Sequence, residues 1–211
     1  MEGNLANQQK ARAAGCIPWI LQSLTDSENP FVRVAAADSL ECLVRSCPEN
    51  KADVVEQGGV AALARLLKDE NPQVRRNSSI ALGVLCQDHP AALVAVREGK
   101  EGTMETLCKL LWNKDGTVVH SAIEALCTLA EGGVTLHGVK DRLRELLQSN
   151  NKDIRALAER AISITEQRDQ QPPTSAFLDS SDKHSSPKKR PIQAATSSSS
   201  NATKDTTKKG E

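Results

Sequence analysis

Six cysteines, Cys16, Cys42, Cys47, Cys86, Cys108 and Cys127, are the most reactive side chains of this 211-residue sequence. A thiolate serves as nucleophile or metal ligand, but zinc and redox sites need close pairs such as CxxC or Cys with His. No CxxC occurs, so the cysteines read as small, buried, reduced hydrophobes within helical patterns. His120 and Glu124 stand four residues apart, placed to share a hydrogen bond on one helix face. General acid/base work also needs a nucleophile or substrate pocket, and no serine, cysteine or metal motif supplies one. No glycine-rich phosphate loop is present; Gly58-Gly59 and Gly132-Gly133 read as helix ends. Asn77-Ser78-Ser79 and Asn201-Ala202-Thr203 fit the glycosylation pattern, yet the opening MEGNLANQQK lacks the apolar core of a secretory signal. The expectation is a protein without catalytic residues, cofactor or metal.

The charge balance is 27 Lys+Arg against 27 Asp+Glu, but it is unevenly spread. Residues 1–167 hold 19 basic and 22 acidic side chains, whereas residues 168–211 hold 8 and 5. There are two tryptophans, two phenylalanines and no tyrosine. That scarcity argues against base stacking on single-stranded nucleic acid and against interfaces dominated by Tyr and Trp. No apolar run approaches the roughly 20 residues a spanning helix needs, so no membrane association is expected and disulfides are not needed to hold the chain.

From Gln170 onward the text is rich in Ser, Thr, Lys and Pro. Such a segment buries too little surface to offset its ordering entropy, and residues 168–211 are expected to be a disordered basic tail. Within it, Pro187-Lys188-Lys189-Arg190-Pro191 reads either as a nuclear localisation signal or as a solvated, solubilising cluster. Ser186 precedes Pro187, and phosphate there would weaken the attraction of Lys188, Lys189 and Arg190 for a partner. The expected location is cytoplasmic, with nuclear entry if the cluster acts.

The elements before the tail are set by self-similarity. Asn29-Pro30-Phe31-Val32-Arg33 repeats as Asn71-Pro72-Gln73-Val74-Arg75, and Val118 and Ile154 anchor two further copies. Four residues past each anchor lie Ala36, Ser78, Ala122 and Ala158; eight past lie Leu40, Leu82, Leu126 and Ile162. With small residues at plus 7 and Leu43, Leu85, Leu129 and Thr165 at plus 11, these trace one helix face. An upstream aliphatic helix precedes each anchor, such as Val60, Leu63, Leu66 and Leu67, and turn residues separate the two. A short third helix precedes each pair, for example Asn50 to Glu56, closed by Gly58-Gly59, and Ala91 to Arg97, closed by Gly99.

The stretch from Gly58 to Leu67 and then Asn71 to Leu85 closely resembles an armadillo repeat. Over residues 1–167 the resemblance implies an all-α, right-handed armadillo-type solenoid of about four three-helix repeats. It further implies that the third helices line a concave groove, with anchor plus 2, 6 and 10 pointing into it. Those positions are Val34, Asp38 and Cys42; Arg76, Ile80 and Val84; His120, Glu124 and Thr128; and Ala156, Arg160 and Ile164. Import adaptors of the family carry Trp at plus 6 and Asn at plus 10, and no repeat here does. Groove charges balance, Asp38 and Glu124 against Arg76 and Arg160, which argues against a basic peptide or phosphate backbone. The function expected is a protein-interaction scaffold or adaptor. A nucleotide-exchange co-chaperone is the alternative implied by similar short arrays, and a HEAT-like lyase ranks third. The apolar residues Ile17, Trp19, Ile20, Leu21, Phe31 and Val34 exceed what one face needs, so the N-terminal end is expected to meet a partner, a second copy or upstream repeats.

Overall fold

The computed structural model describes residues 2–136 and 138–169. Among them are eleven helices: α1 Glu2–Ala13, α2 Cys16–Asp26, α3 Pro30–Val44, α4 Pro48–Glu56, α5 Gly59–Leu66, α6 Pro72–Cys86, α7 Pro90–Glu98, α8 Thr103–Leu110, α9 Gly116–Glu131, α10 Lys140–Leu146 and α11 Lys152–Asp169. No strand occurs among the described residues. The expectations for the segment 170–211, including Ser186, Lys188, Lys189 and Arg190, lie outside them.

Each repeat turns on the same corner. Asn29 and Asn71 cap α3 and α6: the side-chain oxygens accept the backbone N–H groups of Phe31 at 2.9 Å and Gln73 at 2.8 Å. Proline follows each cap, where its missing N–H costs no helical bond. Asp115 and Asn151 cap α9 and α11 the same way, accepting from Thr117 and Asp153 at 2.8 Å. An arginine then folds back over the corner. Arg33 donates from Nη1 to the carbonyls of Ser27 and Glu28, and Arg75 to those of Asp69 and Glu70. Arg155 reaches the Ser149 carbonyl at 2.6 Å. These bonds satisfy acceptors left over where the preceding helix ends. In the third repeat the equivalent residue is Val119, buried at 3% exposure, and hydrophobic contact replaces the polar tie.

The third helices α3, α6, α9 and α11 pack side by side, and α2, α5, α8 and α10 lie against them. Small residues at the facing positions allow close approach. A Cβ added to Gly83 would lie 3.3 Å from the Ala125 Cα, so α6 and α9 meet almost backbone to backbone. Leu40, Leu82 and Leu126 sit behind that contact, none more than 1% exposed, each burial contributing about 1.5–3 kcal/mol. A left-handed glycine precedes α2, α5 and α8: Gly15 at φ 73°, Gly58 at 81° and Gly102 at 63°. That conformation turns the chain sharply at no Cβ cost. Gly99 closes α7 as expected, its N–H donating to the Ala95 carbonyl, but in an extended conformation at φ −64°; the left-handed turn comes at Gly102.

The three-helix count holds for three repeats and not for the fourth. Between α9 and α10 the segment from Gly132 to Val139 forms no helix among its described residues. Three glycines and the β-branched Val134 and Thr135 disfavour a helical turn, and too few residues remain for one. Val134 and Leu136 nevertheless fill the core at 5% and 4% exposure.

Polar ties link the repeats. Arg33 forks onto the Asp69 carboxylate, Nε at 2.7 Å and Nη2 at 3.1 Å, in a largely buried pair. One repeat later the corresponding residues are Arg75 and Asn113. There the buried Arg75 Nε has no hydrogen-bond acceptor, while Asn113 accepts only the Asp115 N–H at 2.9 Å among the described residues. Lys51 on α4 donates from Nζ to the Gln87 carbonyl at 2.5 Å, tying α4 to the end of α6. Burial draws its ammonium below the usual lysine range.

Two consequences are measurable. Asn113→Asp supplies the acceptor that Asp69 supplies for Arg33, and chemical denaturation is expected to show a gain of about 1 kcal/mol; a loss contradicts the register. His89 caps α7 with an unprotonated Nδ1 that accepts the Ala92 N–H at 3.2 Å. Burial, and then Lys51, push its pKa below the ordinary 6.5. The unfolded chain therefore binds that proton more readily, and stability is present above about pH 6.5 and falls on acidification. His89→Asn keeps the cap and is expected to flatten the loss in melting temperature between pH 6.5 and 5; an unchanged slope excludes His89 as its source.

Candidate functional site

The stripe at anchor plus 2, 6 and 10 emerges along one side of the third-helix row, because the core positions between them point inward. Asp38, Cys42, Arg76, Glu124, Ala156 and Arg160 are exposed. Val34, Ile80, Val84, His120, Thr128 and Ile164 are half-buried. The structure thus places all twelve residues at the surface, across α3, α6, α9 and α11.

Their charges are not equivalent. Asp38 Oδ1 accepts the side-chain amide of Asn77 at 2.6 Å, and Asn77 Oδ1 accepts from Arg76 Nη1 at 3.0 Å. The chain Asp38–Asn77–Arg76 joins α3 to α6. Arg160 on α11 donates from Nη2 to Glu131 on α9 at 2.5 Å, a pair that holds its guanidinium firmly charged. Glu124 and His120 form no side-chain hydrogen bond or ion pair, with each other or with any described residue. The expected pairing between them is not formed. Asn77 and Glu131 escaped the sequence pattern because they lie at plus 3 and plus 13, outside the periodic stripe.

The cysteines do not converge. Cys47, Cys86 and Cys127 are buried, Cys16 and Cys108 are half-buried, and Cys42 is exposed, contrary to the expectation of burial for all six. It is exposed because plus 10 faces outward. Burial pushes the Cys86 thiol up to about 12 and the Cys127 thiol up to about 11. Cys42 is also raised, first by partial burial and then by Glu41, whose Oε2 accepts its S–H at 3.6 Å. None is held as a thiolate, the form that attacks electrophiles or binds metals. No group of three metal-ligating side chains occurs among the described residues. Two surface clefts, of about 270 and 550 Å³, are lined around the Arg33–Asp69 and Arg12–Asp53 pairs; the first also carries Thr25 and Ser27, whose hydroxyls are bonded to neighbouring backbone carbonyls. No described helix is long and apolar enough to cross a membrane.

Trp112, 55% exposed, stacks under the Arg142 guanidinium, 5.6 Å from the ring centre. Arg142 also donates to the Leu111 carbonyl at 3.0 Å, so this contact fastens α10 to the α8–α9 turn.

Thiol accessibility follows directly. Iodoacetamide at pH 8 is expected to label Cys42 in the native protein and to spare Cys86 and Cys127 until denaturant is added. Peptide mapping by mass spectrometry checks this, and prompt native labelling of Cys86 contradicts the packing described.

A model of HEAT repeats matches residues 17–127. Among curated proteins none matches this chain. An engineered protein, structural genomics target OR329, superposes with a TM-score of 0.68 at 26% identity, over 76% of this chain and 66% of that one. A second engineered protein, target OR497, gives 0.67 at 24% identity, over 77% of this chain and 40% of that one. The chain therefore spans less than two thirds of the length of either. The designed armadillo repeat protein YIII(Dq)4CqI gives 0.68 at 22% identity, over 76% and 69%. At that identity the fold alone is shared. Two-helix and three-helix repeats stack in this one array, and the sequence match covers more than half of it: the chain belongs to the HEAT-repeat family, as a protein of HEAT/armadillo type.

Proposed function

We propose that this protein is a non-enzymatic interaction scaffold that holds a segment of a partner protein along the stripe formed by α3, α6, α9 and α11. The observation that carries the reading is the state of α6 and α9: half-buried Ile80, Val84 and Thr128 lie beside Glu124 and His120, whose side chains form no hydrogen bond or ion pair among the described residues, Glu124 acting on Arg160 only through space. Apolar patches accept side chains of a ligand, and unengaged polar groups select its register. Asp38 and Arg160 are already tied, so Glu124 is the stronger contributor of charge and Arg76 keeps donors beyond its bond to Asn77. The partner that fits is a peptide segment with apolar side chains and a cation opposite Glu124. The helical array through α11 carries this binding, and later in the sequence Lys188, Lys189 and Arg190 direct nuclear entry under control of Ser186.

The test begins with affinity capture by the full chain and identification of bound proteins by mass spectrometry. Against the captured partner, Arg76→Ala and Glu124→Ala are expected to weaken binding by about 1 kcal/mol or more. Their own stability is expected to stay within about 0.5 kcal/mol of the parent, since neither side chain is in the core. Binding by both variants at parental strength rules out the stripe.

A further inference from the structure

The two ends of the array differ in kind. Val32, at 40% exposure, occupies the anchor position that is 0% exposed as Val74 and Val118 and 4% as Ile154. Trp19, at 73%, stands where α5 has Ala62 at 7% and α8 has Thr106 at 8%. Ser39 is exposed, while Ala81, Ala125 and Ala161 at the same position are no more than 1% exposed. In every later repeat these positions face the preceding one. Ala62 lines a cleft with Leu24 and Arg33 of the first repeat, a Cβ on Gly83 would meet Ala125, and the Ile154 Cδ1 lies 3.8 Å from where a Cβ of Gly116 would stand. The α2/α3 face therefore repeats three established interfaces and carries nothing over it among the described residues.

The opposite end is built otherwise. Glu159 is exposed where the earlier repeats bury Ala37, Ser79 and Ile123. Glu166 is exposed where they bury Val44, Cys86 and Ala130. Stacking one copy's α11 on another's α3 would set two carboxylates against Trp19 and Val32, which costs their hydration with no cation to offset it.

We propose that the α2/α3 face, centred on Trp19 and Val32, pairs with the same face of a second copy of this chain about a two-fold axis. Trp19, Val32 and Ser39 at the centre of this face carry no charge and are compatible with their own copies, and the charged opposite end excludes the head-to-tail alternative, so the assembly closes at two and does not grow. This surface is distinct from the outward stripe proposed to take a partner, and neither proposal depends on the other.

Sedimentation equilibrium of the full chain between about 1 and 200 µM is expected to show mass rising from one copy to two and stopping there. Trp19→Glu and Val32→Glu, made separately, are expected to weaken the pairing at least about tenfold. Both side chains are solvent-exposed in the single copy, so melting measured at low concentration is expected to match the parent. Glu159→Ala is expected to leave the pairing intact. A single-copy mass at every concentration overturns the proposal, as does a Trp19→Glu variant that pairs as tightly as the parent. Mass climbing beyond two overturns it in favour of head-to-tail stacking, and loss of pairing in Glu159→Ala points the same way.

Discussion

The angle at the corner between the second and third helix of each repeat governs the rest of this protein. A repeat cannot bury its apolar face alone, and stacking works only if successive hairpins share a shape. Asn29, Asn71, Asp115 and Asn151 start the third helices with the same side-chain bond. Arg33, Arg75 and Arg155 then bind the chain that led into them. Because cap and arginine lie four residues apart, they sit one helical turn from each other and close the corner from both sides. With that shape repeated, the leucines of neighbouring hairpins fall into one continuous core.

Much of this is legible in the sequence because it is periodic. The spacing of Val32, Val74, Val118 and Ile154 marks the third helices, and Asn-Pro marks two of their starts. The stripe follows from the same arithmetic, since plus 2, 6 and 10 must lie beside a face made of plus 4, 7, 8 and 11. What is not legible depends on contacts between repeats. Nothing at Asn77 or Glu131 announces that they engage Asp38 and Arg160, because the pairings span 39 and 29 residues and depend on how third helices are offset. The missing helix of the fourth repeat is hidden for a different reason. Val139, Leu143, Leu146 and Leu147 continue the aliphatic pattern, and the shortening from 44 to 36 residues between anchors is the one trace it leaves.

The same register that builds the core also separates two kinds of exposed apolar residue. Ile80 and Val84 are half-buried at positions that are at the surface in every repeat, so their exposure belongs to the design of the stripe. Val32 is exposed at a position buried in every later repeat, and Trp19 at one buried in the second and third. An average over the surface would merge these four residues into a single tendency toward stickiness. Position within the repeat assigns them to different surfaces, one lengthwise and one at the end.

The contact between Gly83 and Ala125 has a mechanical consequence. In a one-dimensional stack each joint is a fulcrum, and everything beyond it moves as a rigid arm. A side chain at Gly83 would meet backbone and not a flexible tip, so α6 and α9 would have to part or tilt. A displacement of a few tenths of an ångström there would be magnified with distance along the arm, reaching Arg160 and Ile164 while leaving Ile80 in place. The curvature of the array, and with it the spacing at which its surface side chains are offered to a ligand, is therefore leveraged on a residue that has no side chain and touches no ligand.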